Sequence, residues 1–198
     1  MTRVACFVLG YLIGGIPTAD TWARRSGIDL RAAGSANPGA NNALRLGGRR
    51  LAAAVLATEV AKGALCVLLG SVLAGDIGMV LAGAGATVGN VLNPYRRFRG
   101  GQGLGISAGV LLAAVPIAGA FGLAVIAFVV KISRMTAPAA LAALVAVLGS
   151  SVWLPVTPWG ITDSGTASLL AAAIAVAVTP KQVIKLRRAD RPRRRAPA

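Results

Sequence analysis

Nine consecutive residues, "GSANPGANN" from Gly34 to Asn42, are built almost wholly from small hydrogen-bonding types, and Arg45 follows three positions later. Glycine lets successive backbone N–H groups converge, and serine and asparagine add side-chain donors, so such a loop can form a concavity for an anion, phosphate above all. Ser35, Asn37, Asn42 and Arg45 are the candidate reacting-centre groups, with Gly34 and Gly39 shaping the backbone around them. A second island, "NPYRRFRGGQG" from Asn93 to Gly103, sets three arginines before a turn made of Gly100, Gly101, Gln102 and Gly103. A glycine turn that opens a helix, here at Leu104, also favours anions, because the first helical amides and the helix dipole point at it. Each loop read alone also suits an ordinary turn, the first with capping residues and the second as a basic interfacial loop anchored by Tyr95 and Phe98. Two of them on one face favour a ligand that carries phosphate.

A third feature lies inside an apolar run: "TEVAKG" puts Glu59 and Lys62 three residues apart, on one helix face. Ionisable groups at membrane depth cost roughly 2.5–3.5 kcal/mol each and usually serve a function, although the pair can also neutralise itself and hold the helix.

The elements that must carry these groups follow from composition. Of 198 residues, 56% are hydrophobic and 14% charged, and the mean hydropathy is +0.71. A soluble domain has roughly 25% charged residues, so this chain lacks the polar surface of a soluble globule. Apolar spans near 4–23, 51–74, 78–94, 104–130, 138–154 and 162–179 imply an all-α polytopic membrane protein. The first run is read as a retained helix rather than a cleaved leader. Residues 104–130 are longer than one crossing needs, and Pro116 near their middle breaks the helix, which predicts a hairpin of two short helices and seven helical segments in all.

Net charge is +15, and the positive residues gather between apolar runs: six arginines against Asp29 in 24–50, then Arg96, Arg97 and Arg99, then Lys131 and Arg134, then the tail. The connections that hold Asp76 and Asp163 carry no lysine or arginine. The positive-inside bias therefore predicts the N-terminus outside and the C-terminus in the cytoplasm, with both glycine loops on the cytoplasmic face. A membrane domain is expected over 1–180 and a basic cytoplasmic tail over 181–198. Nucleic-acid binding is not expected, because the basic residues form no aromatic-interleaved patch. Cys6 and Cys66 lie in apolar runs without ligand spacing and the chain has no histidine, so neither a metal nor a cofactor is expected. Glycine pairs four apart, such as Gly10 and Gly14, Gly85 and Gly89, and Gly105 and Gly109, suit close helix packing.

"GSANPGANN" with Arg45, "TEVAKG", and the frame Gly89-x4-Pro94-x3-Phe98-x-Gly100-Gly101-x-Gly103 together resemble the bacterial acyl-phosphate:glycerol-3-phosphate acyltransferases, from "GYLIGGIP" to about Leu186. The resemblance implies a seven-helix inner-membrane enzyme of phospholipid biosynthesis. Its substrates would be acyl phosphate and glycerol 3-phosphate, and its product lysophosphatidic acid. By position, Ser35, Asn37, Gly39, Asn42 and Arg45 would bind phosphate groups, Lys62 would add positive charge, and Gly100, Gly101 and Gly103 would admit the ligand to the backbone. The chain departs from the family pattern at Asn90, where histidine is usual, and at Gln102, where lysine is usual. Arg134 is followed by Ala137 and Ala140 in place of two serines, and Thr179, Pro180, Lys181, Gln182 and Val183 replace a His-Arg-Glu-Asn-Ile run. These departures leave a second reading open, a non-catalytic lipid- or phosphate-binding scaffold of the same fold.

Overall fold

The computed structural model describes residues 1–133, 136–153, 161 and 163–189, and among them helix is the only regular structure. Helix α1 spans Thr2–Gly15 and α2 spans Thr18–Arg25. The expected single span 4–23 is thus divided: Pro17 forces Ile16 into extended backbone, with ψ at 121°. Helix α3, Ala40–Val91, loses helical backbone at Gly48 and again at Ala74 and Gly75, which divides it into an arm 40–47 and two limbs, 49–73 and 76–91. The limbs fold back on each other so closely that a side chain on Gly70 would strike the carbonyl of Gly78. A short 3-10 turn, Pro94–Arg96, leads into the second glycine loop.

The hairpin expected over 104–130 is present. Helix α4, Leu104–Ala114, stops where Val115 turns extended ahead of Pro116, and α5, Pro116–Ser133, begins on that proline, whose missing N–H costs nothing at a first helical position. Helix α6 spans Thr136–Trp153 and α7 spans Ser164–Ala189. Asp163 caps α7 by accepting from the Thr166 N–H at 2.7 Å. Hydrogen bonds from the Thr166 side chain and backbone hold its carboxyl below the usual range. Helix α7 passes straight through Pro180, so the segment expected to open a basic tail at 181 is helical to Ala189, with Gln182 fully buried. Residues 190–198 lie outside the described residues.

Among the described residues, four stretches are long and apolar enough to cross a membrane, Thr2–Arg25, Ala40–Arg96, Pro116–Ser133 and Ser164–Arg187, and α4 and α6 are shorter apolar helices. Outward-facing Leu68, Val72, Val145, Leu169 and Val176 suit a lipid surround. Inside the bundle, packing is close because facing positions are small. Side chains on Gly14 and Gly89 would strike the carbonyls of Ala86 and Tyr11, so α1 lies directly on limb 76–91. Gly63 and Gly109 do the same for limb 49–73 against α4. The main core gathers Val67, Ile106, Val110, Leu170, Ile174 and Val178. A smaller core of Ala19, Ala23, Leu30, Ala43, Leu51 and Val55 sits beneath the first glycine loop and ties it to α2 and α3.

Candidate functional site

The first loop is organised by one side chain. Asn42 is buried, its Oδ1 accepts from the Ser35 N–H at 2.9 Å, and its Nδ2 donates to Leu30 O at 2.8 Å and Ala33 O at 3.1 Å. The turn needs φ of +63° at Gly34, and a Cβ there would collide with Asn42 Oδ1. Asn42 therefore has no group left for a ligand, contrary to the expected phosphate contact; it holds the loop in shape. Gly39 begins α3 by accepting from the Asn42 and Ala43 N–H groups at 3.0 Å. Ser35 is exposed, whereas Asn37 is half-buried beside the helix start and its amide makes no hydrogen bond among the described residues.

The second loop is organised from a distance. Lys181 of α7 donates from Nζ to Val91 O at 2.8 Å, Gly100 O at 2.9 Å and Gly101 O at 2.6 Å. The Gly101 N–H donates to Asn90 O at 3.0 Å, and a side chain on Gly100 would run into that same carbonyl. Gly103 caps α4 with φ of +80°. Asn93 accepts from the Tyr95 N–H at 3.0 Å and donates to Gly15 O at 2.6 Å, which ties the loop to the end of α1.

The two loops face each other across a cleft of about 510 Å³, open on one side. The first loop and the start of α3 line it with Asn37, Pro38, Gly39, Ala40 and Asn41. Gln102, Gly103, Leu104 and Gly105 line it from the second loop and the start of α4. Leu56, Glu59, Asn90 and Thr136 complete the wall. Two helix N-termini thus converge on one space, which suits negative charge. Glu59 is buried at the floor: Oε1 pairs with Lys62 Nζ at 2.9 Å and accepts from Thr18 Oγ1 at 2.8 Å, and Oε2 accepts from Asn90 Nδ2 at 2.6 Å. Lys62 turns away from the cleft. Its ammonium donates to Gly14 O at 3.2 Å and Ile16 O at 2.7 Å at the C-terminal end of α1, where the Ile16 carbonyl also accepts from the Thr18 N–H at 2.9 Å. That ion pair holds the break between α1 and α2, and Lys62 has no N–H left for a phosphate.

Arg45 stands exposed on the arm, within electrostatic reach of Lys185, which donates to Thr136 Oγ1 at 2.6 Å. Lys185 thus sets a cation behind the Thr136 wall of the cleft. Gln102 reaches the cleft with no protein partner among the described residues. Arg134 lies outside the described residues. Ala137 and Ala140 are buried, and Ala140 lines a second, apolar cleft of about 380 Å³ between α4, α5 and α6. Leu104 borders both clefts. Sequence reasoning gave no structural role to Lys181, Lys185, Thr18 or Asp20. Their signal was weak because a lone polar residue beside a proline or in a basic run has no partner until distant segments meet.

The family model described as glycerol-3-phosphate acyltransferase matches residues 4–189. A glycerol-3-phosphate acyltransferase of Thermoanaerobacter sp. (strain X514) is 33% identical over 177 residues, 89% of this chain and 87% of the relative. One of Rhizobium meliloti (strain 1021) is 35% identical over 177 residues, 89% of this chain and 83% of the relative. Among solved structures, PlsY (YgiH), an integral membrane glycerol 3-phosphate acyltransferase crystallised in its glycerol 3-phosphate form, superposes with a TM-score of 0.79 at 21% identity. The match covers 98% of this chain and 96% of that one. The lysophosphatidic acid form of the same protein gives the same TM-score at 20% identity, over 98% and 95% of the two chains. At that identity the likeness speaks for the fold.

Proposed function

The chain belongs to the glycerol-3-phosphate acyltransferase family, and from that premise we infer that it transfers a fatty acyl group from acyl phosphate to the free hydroxyl of glycerol 3-phosphate. The observation that carries this reading is that Leu104 borders both the cleft between the two glycine loops, where Asn37 and Gln102 offer amide side chains, and a second, apolar cleft. One substrate is an anion, and the other is an anion with a long tail. The phosphates would sit against the first amides of α3 and α4, with Asn37 and Gln102 as side-chain donors and Arg45 at the rim, while the tail lies between α4, α5 and α6.

The chemistry needs little more than placement. The acceptor hydroxyl oxygen attacks the acyl carbonyl, the carbon–oxygen bond to phosphate breaks, and inorganic phosphate departs with the bonding pair and takes up the hydroxyl proton. The leaving group thus serves as its own base, in a chain that has no histidine and whose Glu59 is already engaged by Lys62, Thr18 and Asn90. Fixed amides aimed at the developing oxyanion and at the departing phosphate supply the stabilisation. Nothing in the family match or the named relatives supports the non-catalytic scaffold.

The test is turnover of purified protein in lipid nanodiscs supplied with acyl phosphate and glycerol 3-phosphate. Lysophosphatidic acid and inorganic phosphate should appear in equal amounts, and Arg45→Ala should abolish both. Output no higher than a heat-killed control overturns the reading.

A further inference from the structure

Asp20 sits in the first turn of α2, 7% exposed, on the side away from the substrate cleft. Its carboxylate receives one arginine from each loop segment. Arg31, just ahead of the first glycine loop, donates from Nε to Oδ1 at 3.3 Å and Oδ2 at 3.2 Å, and from Nη2 to Oδ2 at 3.1 Å. Arg96, from the 3-10 turn that opens the second loop, reaches the same Oδ2 with Nη2 at 3.2 Å. Arg31 also donates from Nη1 to the Arg99 carbonyl at 2.9 Å, so one guanidinium touches both the carboxylate and the backbone of the second loop. Nearby, the Arg31 N–H donates to Asp29 Oδ1 at 2.8 Å.

We propose that Asp20 is a positioning residue that clamps the two glycine loops at their working separation by pairing with Arg31 and Arg96 together. The proposal rests on the cleft between those loops being the acyl-transfer site. The physical reason is electrostatic. Without the carboxylate, two half-buried guanidinium groups that share one oxygen would face each other with no counter-charge between them, and repulsion would part the segments that carry them. Because acyl transfer at this site depends on holding two anions in register, a small separation of the loops is costly in rate. Asp20 does not line the cleft between the loops; it lines a separate pocket of about 640 Å³ with Arg24, Arg31 and Arg96.

Two measurements decide it. In the nanodisc assay, Asp20→Asn should lower kcat on the order of 10- to 100-fold, while Asp20→Glu retains most of the rate. A bystander carboxylate predicts the opposite pattern, because its removal only adds positive charge and lowers KM for the anionic substrates with kcat unchanged. The second measurement needs no activity: spin labels on Ala32→Cys and Arg99→Cys, with native Cys6 and Cys66 buried, report the distance between the loops. A longer or broader distribution in Asp20→Asn supports the clamp, and a distribution like the wild type's overturns it. Where Asp20→Asn does not fold, Arg96→Gln, which leaves Asp20 paired with Arg31, carries the same two measurements. A wild-type protein without turnover sinks the acyltransferase reading and leaves the label distances to judge the clamp alone.

Discussion

Two glutamines have side chains with no partner among the described residues, and their surroundings give them opposite meanings. Gln102 opens onto the cleft, where a cation would face a phosphate. A charge-assisted hydrogen bond is worth about 1.5–3 kcal/mol, with the lower end fitting an open site. Gln102→Lys should therefore lower KM for glycerol 3-phosphate about tenfold in steady-state kinetics, and an unchanged KM would remove position 102 from the phosphate path. Gln182 is fully buried, and neither its Oε1 nor its Nε2 has a hydrogen-bond partner among the described residues. An unsatisfied buried amide costs about 1–3 kcal/mol, and an apolar side chain of like shape does not incur that cost. Gln182→Met should raise thermal stability in detergent by about that much, and a lower melting temperature would mean the amide is paired in the working protein. Of the residues singled out from sequence, Asn37, Gly39, Gln102 and Gly103 do line one cleft, and Asn42 does not reach it. Asparagine in a glycine loop fits a ligand donor and a loop brace equally well, and only burial separates the two roles.

At the scale of elements, the charged pair on limb 49–73 works as a brace between helices. Lys62 satisfies the last carbonyls of α1, and Glu59 binds Thr18 of α2 and Asn90 of limb 76–91, so one ion pair fixes three elements. Breaking a buried pair by removing one partner costs about 3–5 kcal/mol, because the other charge is stranded. Lys62→Met should lose about that in thermal melts, and adding Glu59→Gln should restore part of it; a variant with wild-type stability but a raised KM would return Lys62 to ligand binding. The glycine stripe carries a second expectation. Leucine at Gly89 would be driven into the Tyr11 carbonyl, with no flexible side chain there to give way, so Gly89→Leu should separate α1 from limb 76–91 and fail to yield monodisperse protein. The hairpin at Pro116 was legible because proline acts locally through its own ring and missing N–H. The division at Pro17 was missed because residues 4–23 have the length of one crossing and the eight mostly polar residues after the proline are too few to read as a helix of their own, and the helical 181–189 segment because buried packing outweighs a basic, proline-marked sequence.

Over the whole molecule, the bundle sorts its charges by end. Both glycine loops, Thr136 and Lys181 meet at one end. Limb 49–73 leads away from that end to the break before Asp76, and the Ile161 N–H donates to Ala114 O at the tip of the α4–α5 hairpin, which puts 161 at the other end as well. The end with the cleft carries Arg31, Arg45, Arg96, Arg97, Arg99 and Lys185, whereas the far connections offer Asp76 and Asp163. The all-helical membrane character and this asymmetry were readable from hydropathy and charge alone, since both act residue by residue. The cleft was readable only as two separate loops, because their meeting depends on the glycine contacts that bring α1, α3 and α4 together. Anionic lipid on the cytoplasmic leaflet favours the basic end at roughly 1 kcal/mol per charge near the surface, which predicts that the cleft faces the cytoplasm. Single cysteines at Arg49 and Asp76, tested in intact cells with a membrane-impermeant thiol reagent, should give labelling at position 76 and protection at 49 until the cells are opened. Labelling at 49 in intact cells would turn the bundle over and set the cleft against a compartment without its acceptor.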